Sequence, residues 1–299
     1  MSAERVAVLG TGHMGSAMAR RLADRGFALV LYNRTAERAR KLADELGARV
    51  ASSAAEAAAQ THVLITMVAD DDALRELCTA EDGILAGAQP GSVTVQTSTV
   101  LPDTVRELGE AFAQRGLGFL DAPVSGSVTT AAAGELALMV GGPAADLERA
   151  RPVLEALGKR IFEVGPVGNG AAVKLAVNHI IMALNVAVSE ALVLAEAAGV
   201  EAGTAYDVFA GGAAGAPFLQ YKRAAFLDPA GTPPAFSFEL AQKDLSLILA
   251  LAQRTRTPLA QAEVNLASLR SAAAALGTER DFSELATHLR AGRSQQKEE

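Results

Sequence analysis

The chain has 299 residues, half of them apolar and a fifth charged, which is enough for two compact domains and argues against disorder. A net charge of −7 argues against general attraction to nucleic acid or to an anionic membrane surface, so an anionic ligand needs a local basic site. Cys78 stands alone, which excludes an intramolecular disulfide and suits a reducing cytoplasm, and His13, His62, His179 and His288 have no metal-ligand spacing, so no metal is expected.

The first strand-like run, Arg5-Val6-Ala7-Val8-Leu9, begins almost at once, so no secretory leader is expected. It opens directly onto Gly10-Thr11-Gly12-His13-Met14-Gly15, with a helical pattern over 14–24 behind it. In that position the glycines match a dinucleotide fingerprint. The first permits the turn, the second lets backbone approach a pyrophosphate, and the third lets helix pack on strand. A second strand over 28–33 ends Tyr32-Asn33-Arg34-Thr35, where a carboxylate would select NAD. None is present. Arg34 is suited to a 2′-phosphate, with Asn33 and Thr35 hydrogen-bonding around it and Arg38 one turn on, so the expected cofactor is NADP(H).

Further strands are predicted over 62–68, 92–97, 119–123, 136–141 and 161–164, with helices such as 36–46 and 104–114 between them. This alternation predicts a mostly parallel, doubly wound sheet. Alanine runs at 54–59 and 131–133 read as local composition, without a longer repeat. The turn Asp121-Ala122-Pro123-Val124-Ser125-Gly126-Ser127 offers backbone N–H groups and hydroxyls that suit a carboxylate or a polar carbonyl substituent.

After Gly168 the pattern becomes helical. One long helix is predicted over 171–198, apolar on most sides and ended by Gly199. Lys174, Asn178, Asn185 and Glu190 interrupt it, so it does not read as a membrane span. An all-round apolar helix is buried within a domain or between subunits, which points to a homodimer, with a tetramer as the larger option. Lys174 and Asn178 are i and i+4 and project from one face. On the residues alone, a snorkelling lysine beside a core-bonded asparagine explains them equally well. Helices over 201–210, 216–227, 237–254, 258–276 and 281–290 follow, with a Gly-rich link at 211–215 and a Pro-rich one at 228–234. Tyr206, Phe236 and Phe238 read as packing residues. The expected organisation is a nucleotide-binding domain over 1–165, an all-α domain over 166–292 joined through the long helix, and a polar, frayed tail over 293–299.

With these motifs in order, the chain resembles the β-hydroxyacid dehydrogenases, which include 3-hydroxyisobutyrate dehydrogenases and glyoxylate/succinic semialdehyde reductases. The resemblance covers essentially the whole chain. It rests on the Gly10–Gly15 loop with Met14 and Met18, on Asp121–Gly126, on Gly168-Asn169-Gly170 with Lys174 and Asn178, and on Gln242-Lys243-Asp244-Leu245. Asn33-Arg34-Thr35 and Ser125-Gly126-Ser127 resemble the NADPH-using reductase branch, although many relatives have a second glycine where this chain has Ser127.

The resemblance implies an N-terminal Rossmann-type domain, an all-α C-terminal domain, and reversible reduction of small aldehydes or keto acids to hydroxy acids. By it, Lys174 is the acid/base and Asn178 orients the substrate oxygen. Ser125, Gly126 and the neighbouring Ser127 hold the substrate's carboxylate. Gly10, Thr11, Gly12, His13, Met14, Gly15, Met67, Val68 and Thr99 touch the cofactor, and Lys243 reaches toward its nicotinamide end. Imine reductases resemble the same fold and cofactor site but usually lack the lysine. A non-catalytic NADP-binding protein is the remaining alternative.

Overall fold

The computed structural model describes residues 5–295. Nine strands form one sheet: β1 Arg5–Leu9, β2 Ala28–Tyr32, β3 Arg49–Val50, β4 Val63–Thr66, β5 Val93–Gln96, β6 Gly118–Asp121, β7 Val124–Ser125, β8 Leu136–Gly141 and β9 Gly158–Gly165. Their order is β3-β2-β1-β4-β5-β6-β8-β7, with β9 on β8. From β3 to β6 every pairing is parallel. β8 then runs antiparallel to β6 and β7 and parallel to β9.

The central strands are apolar on both faces because helices cover both. Alternation along β1 shows it: Val6 and Val8 join one buried cluster with Leu29, Leu31 and Ile65, while Ala7 and Leu9 join the other with Val30 and Leu64. The chain reverses its winding at β1, which lies between β2 and β4, and a crevice outside the carboxyl ends of such strands is where α/β sheets take ligands.

The alanine runs are not merely composition. Ala54–Ala59 and Val128–Ala133 are short helices, each started by a serine hydroxyl that accepts a backbone N–H, Ser53 from Glu56 and Ser127 from Thr130. β3 and β7 went unpredicted because two-residue strands carry no readable alternation.

The chain divides into two compact units between Lys174 and Leu175, inside the long helix Asn169–Ala197 and past the boundary expected at 165. Beyond the division follow helices Ala202–Gly211, Pro217–Leu227, Phe238–Thr255 and Ala260–Leu276, a 3₁₀ turn Phe282–Glu284, and helix Leu285–Gln295. That last helix continues into the segment expected to be a frayed tail; residues 296–299 lie outside the described residues.

Among the described residues the helix Asn169–Ala197 alone is long and apolar enough to cross a membrane. It is not buried all round. Leu175, Asn178, Met182, Asn185, Val186, Ser189 and Leu192 are buried, whereas Val173, Ile180 and Leu194 are 38%, 59% and 72% exposed. Among its buried polar groups, Asn185 donates to the carbonyl of Phe282 and the Ser189 hydroxyl donates to that of Asn185, whereas Asn185 Oδ1 and His179 Nδ1 have no hydrogen-bond partner among the described residues.

A buried ion pair organises the C-terminal unit. Lys222 Nζ lies 2.7 Å from both carboxylate oxygens of Asp281. The same carboxylate accepts the N–H groups of Ala235, Phe236 and Ser283, so it ties the end of the Pro-rich link to the start of helix Phe238–Thr255. Burial by itself raises the pKa of Asp281, but the charge and hydrogen bonds of Lys222 outweigh it and hold the group below the usual carboxylate value. Asp281→Ala is expected to destabilise this unit by about 3–5 kcal/mol, because it strands a buried ammonium. Replacing both partners, Lys222→Met with Asp281→Leu, is expected to recover only part of that loss in urea unfolding, because the N–H groups of Ala235, Phe236 and Ser283 then lose their acceptor.

Candidate active site

The turn after β1 is built by glycine sterics. Gly10 has φ of 100°, and a Cβ there would lie 2.0 Å from the carbonyl oxygen of Met67. A Cβ on Gly15 would lie 1.9 Å from the carbonyl oxygen of Gly10. Gly12 is different: a Cβ would meet no protein atom within 4 Å. Packing therefore does not demand glycine at 12; an approaching ligand would. Helix His13–Asp24 starts at Gly12 with no side-chain cap and no acid in its first turn, so its leading N–H groups stay available to an anion. The buried hydroxyl oxygen of Thr11 also lacks a partner. An open cradle, uncapped N–H groups and an orphan hydroxyl fit a dinucleotide pyrophosphate.

Neighbouring turns are stapled to this loop. Asn33 Oδ1 accepts the Thr11 N–H at 3.0 Å, and its Nδ2 donates to the Thr35 carbonyl at 3.0 Å. The amide is thus committed to holding two loops in register, and does not stand free as expected. The Arg34 and Arg38 side chains are exposed, and the backbone N–H of Arg38 donates to the Thr35 carbonyl at 3.0 Å. After β4 and β5, the Ser98 hydroxyl accepts the N–H of Val68 at 2.9 Å. Gln96, fully buried, closes its amide on Ser98 by accepting that residue's N–H and donating to its carbonyl. Met67, Val68 and Thr99 are each half-buried.

At the end of β6, Asp121 turns inward and is wholly buried. Its Oδ2 accepts the N–H groups of Gly168 and Ala171, each at 2.9 Å. Burial raises its pKa to about 6, opposed by the backbone bonds from Ala171, Gly168 and Gly170 and by the charge of Arg106. Gly168-Asn169-Gly170 is therefore a seat for the protein's own carboxylate. Lys174, half-buried, follows three residues after Ala171. Of its sequence neighbours, Leu175 is buried but Val173 and Ala176 are exposed.

Ser125 is half-buried on β7 and Gly126 is exposed. Ser127 has another occupation. Its hydroxyl caps helix Val128–Ala133, and its N–H donates to the Thr130 hydroxyl at 2.6 Å in a reciprocal capping box. That accounts for the serine without a ligand. His13 is exposed at the helix start, and Met14 packs on the core cluster.

In the C-terminal unit, Asn178 is 7% exposed and Asp244 2%. Asn178 Nδ2 donates to Asp244 Oδ2 at 2.6 Å. Lys243 Nζ pairs with Asp244 Oδ1 at 2.9 Å. One buried carboxylate thus gathers two of the residues singled out from sequence. By composition Lys243-Asp244 reads as a solvated pair, and only the resemblance drew attention to it. Tyr206 is fully buried with its hydroxyl on the Leu219 carbonyl, and Phe238 is fully buried; both serve packing, as expected. Gln96, Ser98, Asp121 and Asp244 were not singled out for what they do. Each acts through a partner remote in sequence or folded back upon a turn, which leaves no periodic signal.

These features define a Rossmann-type dinucleotide-binding unit followed by an all-helical unit. Residues 5–165 match the NAD binding domain of 6-phosphogluconate dehydrogenase, and residues 168–289 match the NAD-binding domain of NADP-dependent 3-hydroxyisobutyrate dehydrogenase. The chain is similar to glyoxylate/succinic semialdehyde reductase 1 of Arabidopsis thaliana, with 36% identity over 82% of this chain and 84% of that one. It is 34% identical to an NAD-dependent L-serine dehydrogenase of Pseudomonas aeruginosa, over 94% of this chain and 96% of the relative. Among solved structures, Mycobacterium tuberculosis 3-hydroxyisobutyrate dehydrogenase with L-serine superposes with a TM-score of 0.84 and 32% identity, covering 96% and 99% of the two chains. The chain belongs to the β-hydroxyacid dehydrogenase family.

Proposed function

We propose that this protein is an NADPH-dependent reductase of small aldehydes or keto acids, run reversibly as a hydroxyacid dehydrogenase, with Lys174 as its acid/base. The observation that carries this is the pairing of Lys174 and Asn178 one turn apart on a single helix, with the Asn178 amide locked by the buried carboxylate of Asp244. An asparagine held this firmly is an orienting group for an oxygen beside the lysine. The turn Gly10–Gly15 would hold the cofactor pyrophosphate, with Met67, Val68 and Thr99 along its course and Lys243 toward the nicotinamide. Ser125 and Gly126 would receive the substrate's carboxylate; the cap formed by Ser127 leaves that serine outside the assignment.

Reduced nicotinamide, when bound, supplies the hydride that the carbonyl carbon accepts. The Lys174 ammonium stabilises the negative charge that grows on the carbonyl oxygen and gives it a proton, completing the alcohol. In the reverse direction the neutral amine takes the hydroxyl proton. A carbonyl needs that proton donor, which is why Lys174 favours carbonyl over imine reduction. The reading extends to a soluble, cytoplasmic enzyme; its single cysteine, Cys78, is buried, and desolvation pushes its thiol up to about 12.

Support for NADP(H) over NAD(H) comes from the end of β2, where the run Tyr32-Asn33-Arg34-Thr35 carries no carboxylate and Arg34 and Arg38 are exposed. The relatives themselves include both kinds, so this preference is carried by the arginines. A second copy of the chain is proposed from the long helix. Val173, Ile180, Ala187 and Leu194 are exposed at intervals of seven, the spacing at which one helix seats against another.

Three outcomes follow. Lys174→Ala is expected to lower kcat by about two or more orders of magnitude while cofactor affinity stays near normal, measured with a panel of small aldehydes, keto acids and cyclic imines; near-normal turnover would reject the assignment. NADPH is expected to exceed NADH in kcat/KM, and Arg34→Ala to raise the KM for NADPH by about 10- to 100-fold with little change for NADH. Light scattering is expected to give twice the chain mass, falling to the chain mass in an Ile180→Glu, Leu194→Glu variant; a tetramer would add a second interface.

A further inference from the structure

We propose that Asp121 is the positioning residue for Lys174: it seats the first turn of helix Asn169–Ala197 and so fixes where the lysine side chain leaves the backbone. The inference rests on the reading of Lys174 as the acid/base, and goes beyond it by naming the group that places it.

A helix start leaves N–H groups without partners, and the residue just before the helix ordinarily caps them. Here that residue is Gly168, which has no side chain to offer. Asn169 is spent elsewhere, donating from Nδ2 to the Val164 carbonyl at 2.8 Å. The chain fills the gap from 47 residues away, with Asp121 Oδ2 taking the Gly168 and Ala171 N–H groups. Because Asp121 closes β6, the helix start is bolted to the sheet itself. Close approach is built in: a Cβ on Gly170 would lie 2.5 Å from the Met139 carbonyl oxygen and 2.6 Å from that of Asp121, and one on Gly168 would lie 2.6 Å from Arg106 Nε.

Burying a carboxylate is costly, and its other oxygen, Oδ1, has no partner. A helix start needing only stability could use a neutral, local cap at less cost. The charged cap instead adds attraction to the helix dipole and short, directional bonds to the turn that Lys174 follows. Ala171 and Lys174 are i and i+3, so any tilt or slip of the first turn passes directly to the lysine. Misplacement by about 1 Å can cost roughly 100-fold in a reaction that depends on aligned groups.

The test is a graded series at saturating cofactor, with thermal midpoints recorded alongside. Asp121→Ala is expected to lower kcat about 10- to 100-fold, with the cofactor KM within about threefold of the parent. Asp121→Asn keeps an acceptor oxygen of lesser strength, and a loss of about three- to tenfold is expected. Val153→Ala, a core truncation in helix Ala144–Leu157, serves as the stability control and is expected to lower the midpoint without lowering kcat. Parental kcat in a folded Asp121→Ala or Asp121→Asn would overturn the inference, as would an equal loss of kcat in the Val153 control. Should the alanine variant fail to fold, the asparagine variant carries the test. Lys174→Ala separates the two readings. If it is inactive while the Asp121 variants are normal, only the positioning role falls; if it is active, the assignment of Lys174 itself falls.

Discussion

Unpaired backbone N–H groups at helix starts are the constraint around which this chain is organised. Two glycine-rich turns pose the same chemical problem and resolve it differently. At Gly10–Gly15 the N–H groups have no side-chain cap, and the space before Gly12 is open, so the positive end of the helix faces outward. At Gly168–Gly170 the N–H groups close on Asp121, a carboxylate the protein carries itself. One turn is kept for an incoming anion and the other is filled on folding.

Carboxylates in general do the arranging here. Asp121 holds a helix start, Asp244 gathers Asn178 and Lys243, and Asp281 gathers Lys222 with the backbone that leads into helix Phe238–Thr255. All three are buried, and each accepts from two or more donors. Such groups contribute little net stability compared with well-packed apolar residues, but they fix geometry because a misaligned donor leaves a buried charge uncompensated. If Lys174 and Asn178 act as proposed, keeping that ammonium and that amide in register is a reason to accept the cost.

Much of the architecture is legible in the sequence because it depends on local pattern. Short apolar runs between helical segments give the parallel sheet, and the helix over 36–46 matches Ala36–Leu46. The fingerprint is legible because its glycine spacing is local, although the sterics that require Gly10 come from Met67, just past β4. What stays hidden is long-range or depends on exposure. The capping by Asp121 spans 47 residues, and that of Asn178 by Asp244 spans 66. Ser127 looks like a ligand-binding hydroxyl until Thr130 is seen to close the capping box. The long helix reads as apolar on most sides, yet composition cannot say which residues meet protein; only the fold separates buried Met182 from exposed Ile180. The alanine-rich helices escape notice because alanine carries so little amphipathic contrast.

The same distinction bears on specificity. Asn33 and Ser98 spend their polar groups on neighbouring backbone, joining the turns after β1 and β2 and those after β4 and β5 into a pre-formed surface. These bonds hold the turns in place, although they do not exhaust the donors of an amide or a hydroxyl. On the function proposed above, discrimination between the two cofactors falls to side chains beside them. At the end of β2 the proposed ones are Arg34 and Arg38, since a guanidinium recognises a phosphate through paired, planar hydrogen bonds that a ribose hydroxyl cannot return. A rigid, self-bonded frame with free cations at its margin lets binding energy go into recognition, since little of it is consumed in ordering the loops.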